Sequence, residues 1–346
     1  MKFGVLDQSP IVSGHTPAEA IHETIALARL ADRLGFHRYW LAEHHALGAL
    51  ADPCPEVLLA RIGAETKRIR VGTGGVLLPH YSSLKVAETF RMLEALHPGR
   101  IDLGIGRAPG GDMRTARSLR EDGFADAAQF PVQIRDLIGF LEGSLPADHP
   151  YAKVRVQPTG KSVPPIWLLG SSDYSGALAA HIGARFAFAH FINPQGGDAV
   201  MHAYKKDFQP STRLPRPEGL ACVSVICADS NEEADRLAIS MDLRRIFMAT
   251  GVEAPIPTVE EARAYPWTDH ERAYAAQQRP RLIHGDPETV RDGLLRLAAR
   301  YDVDELMLLT ITGDYPSRRR SYELIAEAFD LGSTERSNAS PANVAA

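Results

Sequence analysis

Three adjacent side chains, Glu43, His44 and His45, have the types needed to exchange protons. They follow a short apolar run that is predicted to be a strand. In proteins built as a barrel of parallel strands, the residues directly after each strand usually carry the chemistry. Histidine suits proton exchange near neutral pH. We treat all three as candidate catalytic residues; the alternative is that the histidines only cap a loop. Adjacent residues rarely face one ion and no HExxH spacing occurs, so we expect no metal site.

A second candidate is the GTGG segment at residues 72–75, which contains Gly74 and Gly75 inside a predicted strand. Glycines weaken a strand and usually mark a bulge or a close approach of the backbone to another group. A flat ligand could lie against this backbone. A bend of the sheet without any ligand explains the glycines equally well.

Arg107 is a candidate anion-binding residue because it comes directly after the predicted strand at residues 101–105. Its guanidinium presents a fork of donors that suits a phosphate or a carboxylate. An ordinary surface salt bridge is the alternative.

A second candidate anion site is the turn between a predicted strand and the helix that ends at Ile182. Backbone N–H groups and hydroxyls at a helix N-terminus suit a phosphate. Ordinary N-capping by Ser172 or Asp173 accounts for the turn nearly as well. The candidate cofactor-binding residues of the turn are Ser171, Ser172, Tyr174 and Ser175.

Two nucleotide-binding patterns in the chain are incomplete. Residues 104–111 begin like the dinucleotide fingerprint, but Pro109 replaces the third glycine and no convincing helix is predicted directly after Gly111. The GKS at residues 160–162 ends like a P-loop, but Arg155 stands where the first glycine must be. We therefore predict neither a Rossmann fold nor a nucleoside triphosphate site.

An alternation of strands and helices must position these candidates. Helix signals include a capping box at residues 16–19 and Gly35 as a helix end. Eight strand–helix units favour a closed (β/α)8 TIM barrel of the α/β class over an open doubly wound sheet. The predicted strands are residues 3–6, 39–41, 70–78, 101–105, 165–169, 186–189, 220–227 and 305–310.

In such a barrel the candidate residues meet at one end, because the strands are parallel. A backbone surface for a flat ring, two anion donors and proton-exchanging groups fit a phosphorylated planar cofactor. Asp286-Pro287 is a strong helix start just before the eighth strand, so residues 249–281 are predicted to be a late insertion with extra helix. We expect one domain over residues 1–331 and a disordered tail over residues 332–346.

Composition excludes several classes of protein. The chain is 45% hydrophobic and 23% charged, which is ordinary for a globular protein. A net charge of −5 without a basic block argues against nucleic-acid binding. The N-terminus turns polar after six residues, too soon for a signal peptide, and no stretch of 18 apolar residues occurs. We expect a cytoplasmic protein that does not bind a membrane.

The same residues resemble the bacterial luciferase-like flavin monooxygenases. The likeness covers residues 3 to about 330, and several long motifs in order make it specific. The resemblance implies the same barrel and a reduced flavin, usually FMN and in a minority of members F420. The motifs are LDQSP (6–10), AEHH (42–45), GTGGVLLP (72–79), LEALHPGRIDLGIGRAPG (93–110) and LGSSDYSGALAAHIG (169–183).

The resemblance also implies roles for individual residues. His44 matches a histidine that supports oxygenated flavin chemistry, with Glu43 and His45 orienting it. Gly74 and Gly75 match a pair joined by a non-proline cis peptide beneath the flavin ring. Arg107 matches a phosphate-binding arginine, and the turn after the fifth strand matches a cofactor-binding turn. A reactive cysteine of luciferase is Gly106 here, so we do not predict light emission.

The function implied is oxygenation of a small organic substrate with reduced FMN and O2. A separate flavin reductase would supply the reduced FMN, because the chain lacks a Rossmann fingerprint, and a homodimer is expected. Two alternatives stay open: an F420-dependent hydride-transfer enzyme and a non-catalytic flavin-binding protein. A structural barrel without a cofactor is a weaker alternative.

Overall fold

The computed structural model of the protein describes residues 1–120 and 127–332. The tail predicted at residues 332–346 therefore lies outside the described residues, except for Gly332. Within the described residues, no helix is both long and apolar enough to cross a bilayer.

The strands form a closed parallel barrel. Every strand pair is parallel, and β10 closes the ring by pairing with both β1 and β8. β3 and β4 together occupy one position of the barrel. β9 pairs only with the carboxyl end of β8 and is not part of the ring, so the ring has eight strand positions. The strands are β1 (Lys2–Asp7), β2 (Arg38–Leu41), β3 (Arg70–Thr73), β4 (Val76–Leu77), β5 (Ile101–Gly106), β6 (Ile166–Gly170), β7 (Arg185–Ala189), β8 (Gly219–Cys227), β9 (Leu282–Gly285) and β10 (Glu305–Leu309). The predicted TIM barrel is confirmed.

The helices surround the barrel or lie in its loops, and the sequence signals for their ends hold. Thr16 and Glu19 form the predicted capping box, and Gly35 ends α1 with a φ of +89°. The helices are α1 (Pro17–Leu34), α2 (Pro55–Glu65), α3 (Ser83–Leu96), α4 (Met113–Ser118), α5 (Phe130–Glu142), α6 (Asp173–Ile182), α7 (Gly197–Lys206), α8 (Asn231–Thr250), α9 (Val259–Ala264), α10 (Asp269–Gln278), α11 (Pro287–Tyr301) and α12 (Tyr315–Ala328).

The insertion begins earlier than its sequence pattern predicts. α8 follows the seventh strand position directly, but its main partners are α9, α10 and the extra strand β9. α11 is the outer helix of the seventh unit, because it packs on β8 and β9 and lies between α7 and α12. The insertion thus covers residues 228–281, including all of α8. Helical periodicity shows that a helix forms but not which neighbours it packs against, so the two helices could not be told apart.

One local expectation near the rejected dinucleotide motif was wrong. The short helix α4 does follow Gly111, with the Asp112 side chain accepting a hydrogen bond from the Thr115 N–H at 2.7 Å. The rejection of a Rossmann fold nevertheless holds, because the preceding strand β5 belongs to the closed barrel.

A buried charge cluster fills the barrel interior near the amino ends of the strands. Arg38 donates to Asp102 Oδ2 at 2.6 Å and to Glu305 Oε2 at 2.9 Å. The indole N–H of Trp40 also donates to Asp102 Oδ2, at 3.1 Å. Buried charges persist only when they are paired and hydrogen-bonded, so this cluster holds the side chains at the amino ends of the strands in fixed positions.

Candidate functional site

The predicted site residues meet at the carboxyl end of the barrel strands, which we call the mouth. His44 follows the end of β2 closely, and Arg107 comes directly after β5. The Gly74–Gly75 pair connects β3 to β4, and the serine-rich turn joins β6 to α6. The parallel strands bring to one end residues that are up to about 130 positions apart in the sequence.

Glu43 and His45 fix each other and the neighbouring loops. The Glu43 side chain, in a residue that is 3% exposed, accepts hydrogen bonds from the Leu77 N–H at 2.9 Å and the Tyr81 hydroxyl at 2.6 Å. Its Oε1 also lies 2.7 Å from His45 Nε2. The His45 N–H donates to the Gly110 carbonyl at 2.9 Å. The pair therefore ties the segment after β2 to the segments after β4 and β5.

His44 differs from its two neighbours because one nitrogen of its imidazole is left without a partner, although the ring also hydrogen-bonds to the Ala42 backbone. Its Nδ1 is buried without a hydrogen-bond partner among the described residues. Burial lowers the pKa of His44 to about 4, and the positive charge of Arg244 adds to the shift. The ring is therefore neutral at neutral pH, with a nitrogen available to accept or donate a proton.

Asp52 lies beside His44 and was not singled out in the sequence. Its backbone carbonyl accepts a hydrogen bond from the His44 N–H at 3.1 Å. The side-chain Oδ1 accepts from the Cys54 N–H at 3.0 Å, whereas Oδ2 is buried without a described partner. Burial, followed by the charges of Asp7, Glu56 and Glu43, raises the pKa of Asp52 to about 7. An Asp three residues before a helix is typical of an ordinary turn, so the sequence offered no signal.

The peptide between Gly74 and Gly75 is cis, as the resemblance implies. A Cβ on Gly74 would lie 2.6 Å from Leu6 Cδ1, and one on Gly75 would lie 2.7 Å from the Gly104 carbonyl oxygen. Close backbone packing therefore accounts for both glycines. Contact with a flat ring stays a prediction.

Arg107 stacks on Tyr174, so two of the predicted anion-binding segments are in contact. The guanidinium carbon lies 4.3 Å from the centroid of the Tyr174 ring. No carboxylate of the described residues pairs with Arg107. A guanidinium that stacks on a ring keeps its N–H donors free for an anion.

In the serine-rich turn at the start of α6, one hydroxyl has no hydrogen-bond partner among the described residues. Ser172 is the N-cap residue, but its side chain makes no capping hydrogen bond. Asp173 Oδ1 accepts from the Tyr174 N–H at 2.8 Å, and the Ser171 carbonyl accepts from Asn193 Nδ2 at 3.1 Å. Ser175 lies in the first turn of α6 beside Gly170. Capping of α6 by the Ser172 side chain therefore does not explain why a serine stands at this position.

Arg244, on the inserted helix α8, is a second residue that the sequence did not reveal. The residue is 8% exposed, and its Nη1 is buried without a described partner. Burial, followed by the charge of Arg245, lowers the pKa of Arg244 to about 10. Two adjacent arginines on a helix are typical of a solvated face, so its burial could not be predicted.

Comparison with known proteins gives consistent relatives. The family model described as "Luciferase-like monooxygenase" matches residues 1–303. A "Luciferase-like monooxygenase" of Escherichia coli strain K12 is 38% identical over 322 residues, which is 93% of this chain and 95% of the relative. The "N-acetyl-S-alkylcysteine monooxygenase" of Bacillus subtilis strain 168 is 35% identical over 331 residues, 95% of this chain and 98% of the relative.

Solved structures support the same assignment. The crystal structure of apo-MsnO8 superposes with a TM-score of 0.89 at 41% identity, covering 95% of this chain and 98% of that one. Two further structures share only the fold. The FMN complex of the oxygenating constituent of 3,6-diketocamphane monooxygenase of Pseudomonas putida has a TM-score of 0.67 at 19% identity, covering 94% of this chain and 97% of that one. An F420-dependent secondary alcohol dehydrogenase has a TM-score of 0.66 at 12% identity, covering 94% of this chain and 98% of that one. The family match over most of the chain, together with these relatives, shows that this protein belongs to the luciferase-like monooxygenase family.

Proposed function

We propose that this monooxygenase uses reduced FMN and O2 to oxygenate a small organic substrate at the barrel mouth. The observation that carries the proposal is the Arg107 guanidinium, which stacks on Tyr174 at the start of α6 and has no described carboxylate partner. This arrangement presents charged donors at a helix N-terminus, which suits a phosphate monoester.

The described residues fit a phosphorylated flavin. For the phosphate, the Arg107 guanidinium and the unused Ser172 hydroxyl are available, and Ser171 and Ser175 lie in the same turn. The positive end of the α6 dipole favours the same charge. The ring system would lie near His44, whose buried Nδ1 has no described partner. A polar atom of the flavin ring could form the hydrogen bond that this nitrogen lacks.

Each part of the chain then has a task. Bound reduced flavin supplies the electrons that activate O2. The neutral imidazole of His44 holds or moves a proton at Nδ1, and Glu43 with His45 keeps the segment that carries His44 in place. The insertion closes over the mouth, since Ile256 pairs with the loop after β1. The Ile256 N–H donates to the Ile11 carbonyl at 2.7 Å, and the Ile256 carbonyl accepts from the Ser13 N–H at 2.8 Å. Exclusion of water by this cover protects the chemistry from proton leakage.

Anaerobic titration with reduced FMN and with reduced F420 tests the cofactor. We expect saturable binding of FMN, measured by flavin fluorescence, and no comparable binding of F420. Tight F420 binding without FMN binding would instead favour the hydride-transfer alternative. Oxygen consumption that never depends on any organic compound, across a broad substrate panel, would favour the flavin-carrier alternative.

A separate reductase and a homodimer are further parts of this proposal. We expect that NADH alone does not reduce FMN on the purified chain and that an added flavin reductase restores turnover. Multi-angle light scattering should give twice the chain mass of 37.8 kDa. A monomeric mass would rule out the homodimer. Reduction of FMN by NADH on the purified chain alone would rule out the need for a separate reductase.

A further inference from the structure

Arg244 is a buried cation that has no counter-charge among the residues that the structure describes. The residue is 8% exposed, and it makes no hydrogen bond or ion pair with any residue that the structure describes. An uncompensated buried charge is costly and is usually paired. A guanidinium in this state is therefore suited to an anion that comes from outside the chain.

The nearest acidic side chain in the sequence is already used. Asp242 pairs with Arg279 and lies 3.4 Å from Nη1 of Arg245. Asp242 and Arg245 lie on a different face of α8 from Arg244, and Arg279 follows the end of α10. The charges that act on Arg244 include Arg245 but no carboxylate. Among the described residues, Arg244 therefore has no carboxylate available to it.

The face of α8 that carries Arg244 is turned towards the barrel. Ser240 and Met241 precede Arg244 by four and three positions, so all three share one face of the helix. Met241 packs against the apolar cluster inside the barrel, which includes Trp40 and Leu309. The Ser240 hydroxyl is buried without a described partner. Arg244 continues this face at the mouth.

His44 and Arg244 are electrostatically coupled across the mouth. The positive charge of Arg244 contributes to the low pKa of His44, and each side chain has a buried nitrogen without a described partner. An anion bound between the insertion and the segment after β2 would satisfy Arg244 and lie near His44. The expected phosphate site is elsewhere on the mouth, at the ends of β5 and β6.

We infer that Arg244 binds a carboxylate of the substrate, with the Ser240 hydroxyl as a second donor, and that the substrate is a small carboxylic acid with an apolar body. The inference rests on the proposed function for the identity of this ligand as substrate. A single planar guanidinium with one hydroxyl matches a carboxylate, to which arginine binds through two parallel hydrogen bonds. The apolar body would contact Met241 and the partly buried Phe191.

Binding of matched acids and amides tests the inference on the full chain, with and without FMN. The probes are acetate, butyrate, hexanoate and octanoate, each compared with its primary amide by isothermal titration calorimetry. We expect at least one acid to bind the wild-type protein more than about tenfold more tightly than its amide. Arg244→Met should abolish that preference and leave the Kd for FMN unchanged.

Arg245→Met is the matched control, because the neighbouring arginine already has Asp242 as a partner. This variant should keep the preference for the acid. If Arg244→Met does not fold, Arg244→Lys should keep the charge but bind the acid more weakly than wild type, because lysine lacks the bidentate geometry.

Three results would overturn the inference. The first is equal binding of every acid and its amide by the wild-type protein. The second is a preference that persists unchanged in the Arg244 variant. The third is a loss of FMN affinity in that variant with acid binding unchanged, which would assign Arg244 to the cofactor. An Arg244-dependent acid preference in a protein that does not bind FMN would support the anion site and reject the proposed cofactor.

Discussion

Arg107 and Tyr174 join the end of β5 to the first turn of α6, with the guanidinium carbon 4.3 Å from the ring centroid. Stacking of this kind contributes about 0.5–2 kcal/mol, depending on how far the pair is desolvated. The contact holds the guanidinium beside the N-terminus of α6 before any ligand arrives. An anion that binds there loses less affinity to side-chain ordering, because the arginine is already placed.

Arg107→Ala should weaken FMN binding much more than riboflavin binding, because the lost charge-assisted hydrogen bonds go only to the phosphate. The expected loss for FMN is roughly 1.5–3 kcal/mol. Fluorescence titrations of both ligands measure the difference. Tyr174→Leu is a useful companion, since it removes the stacking partner and keeps the arginine; a smaller loss is expected. If FMN and riboflavin weaken equally, Arg107 does not bind the phosphate.

Gly75→Ala should destabilise the fold, because the added Cβ would lie 2.7 Å from the Gly104 carbonyl oxygen. Overpacking against backbone that cannot move aside costs about 1–3 kcal/mol. The free energy of unfolding in urea measures this cost. Gly160→Ala is the matched control, because its nearest contact would be Arg91 Nη1 at 3.8 Å. Equal free energies for the two variants would show that Gly75 is not required by packing.

Sequence patterns were sufficient for the barrel and for the places where its loops carry chemistry. The capping box at Thr16 and the strand ends before His44 and Arg107 depend on local residue types, so the patterns predict them. The burial of Asp52 and Arg244 depends on what packs over them, and no local pattern encodes that. The start of the insertion was misplaced for the same reason. A single domain over residues 1–331, like the cytoplasmic location, stays a prediction.

Asp52→Asn should stabilise the protein at pH 8 and have little effect at pH 4. The folded-state pKa of about 7 exceeds the ordinary 3.8, so the folded protein binds the proton more tightly than the unfolded chain. Stability therefore falls as the pH rises from about 4 to about 7 and stays lower above that. The three-unit difference sets an upper limit of about 4 kcal/mol on the gain.

Urea unfolding of both proteins between pH 4 and pH 8 measures this difference. Asp148→Asn is the control, because it makes the same chemical change at an exposed carboxylate. A gain from Asp52→Asn that does not depend on pH would show that the ionised carboxylate is not the cause.

His44→Ala should leave FMN affinity almost unchanged and reduce turnover. The substitution does not touch Arg107 or the turn before α6, so the Kd for FMN should change by less than about threefold. A lost proton-transfer group typically lowers the rate by about 10²–10⁴-fold. Because the pKa of His44 is about 4, its imidazole stays neutral above pH 5, and the His44-dependent part of the rate should be constant from there to pH 8.

His44→Gln separates proton transfer from hydrogen bonding, since glutamine fills the space and keeps polar atoms but does not titrate. The measurement is a single turnover without substrate: reduced, FMN-loaded protein is mixed with O2, and the rates of flavin reoxidation and of hydrogen peroxide release are recorded. Without substrate each oxidised flavin gives one peroxide in every variant, so the rate is the readout. Both variants should release peroxide faster than wild type, because a proton is no longer delivered or held at Nδ1. Full recovery in the glutamine variant would limit His44 to a hydrogen-bonding role. Unchanged rates of reoxidation, peroxide release and turnover in both variants would mean that His44 only shapes the loop after β2.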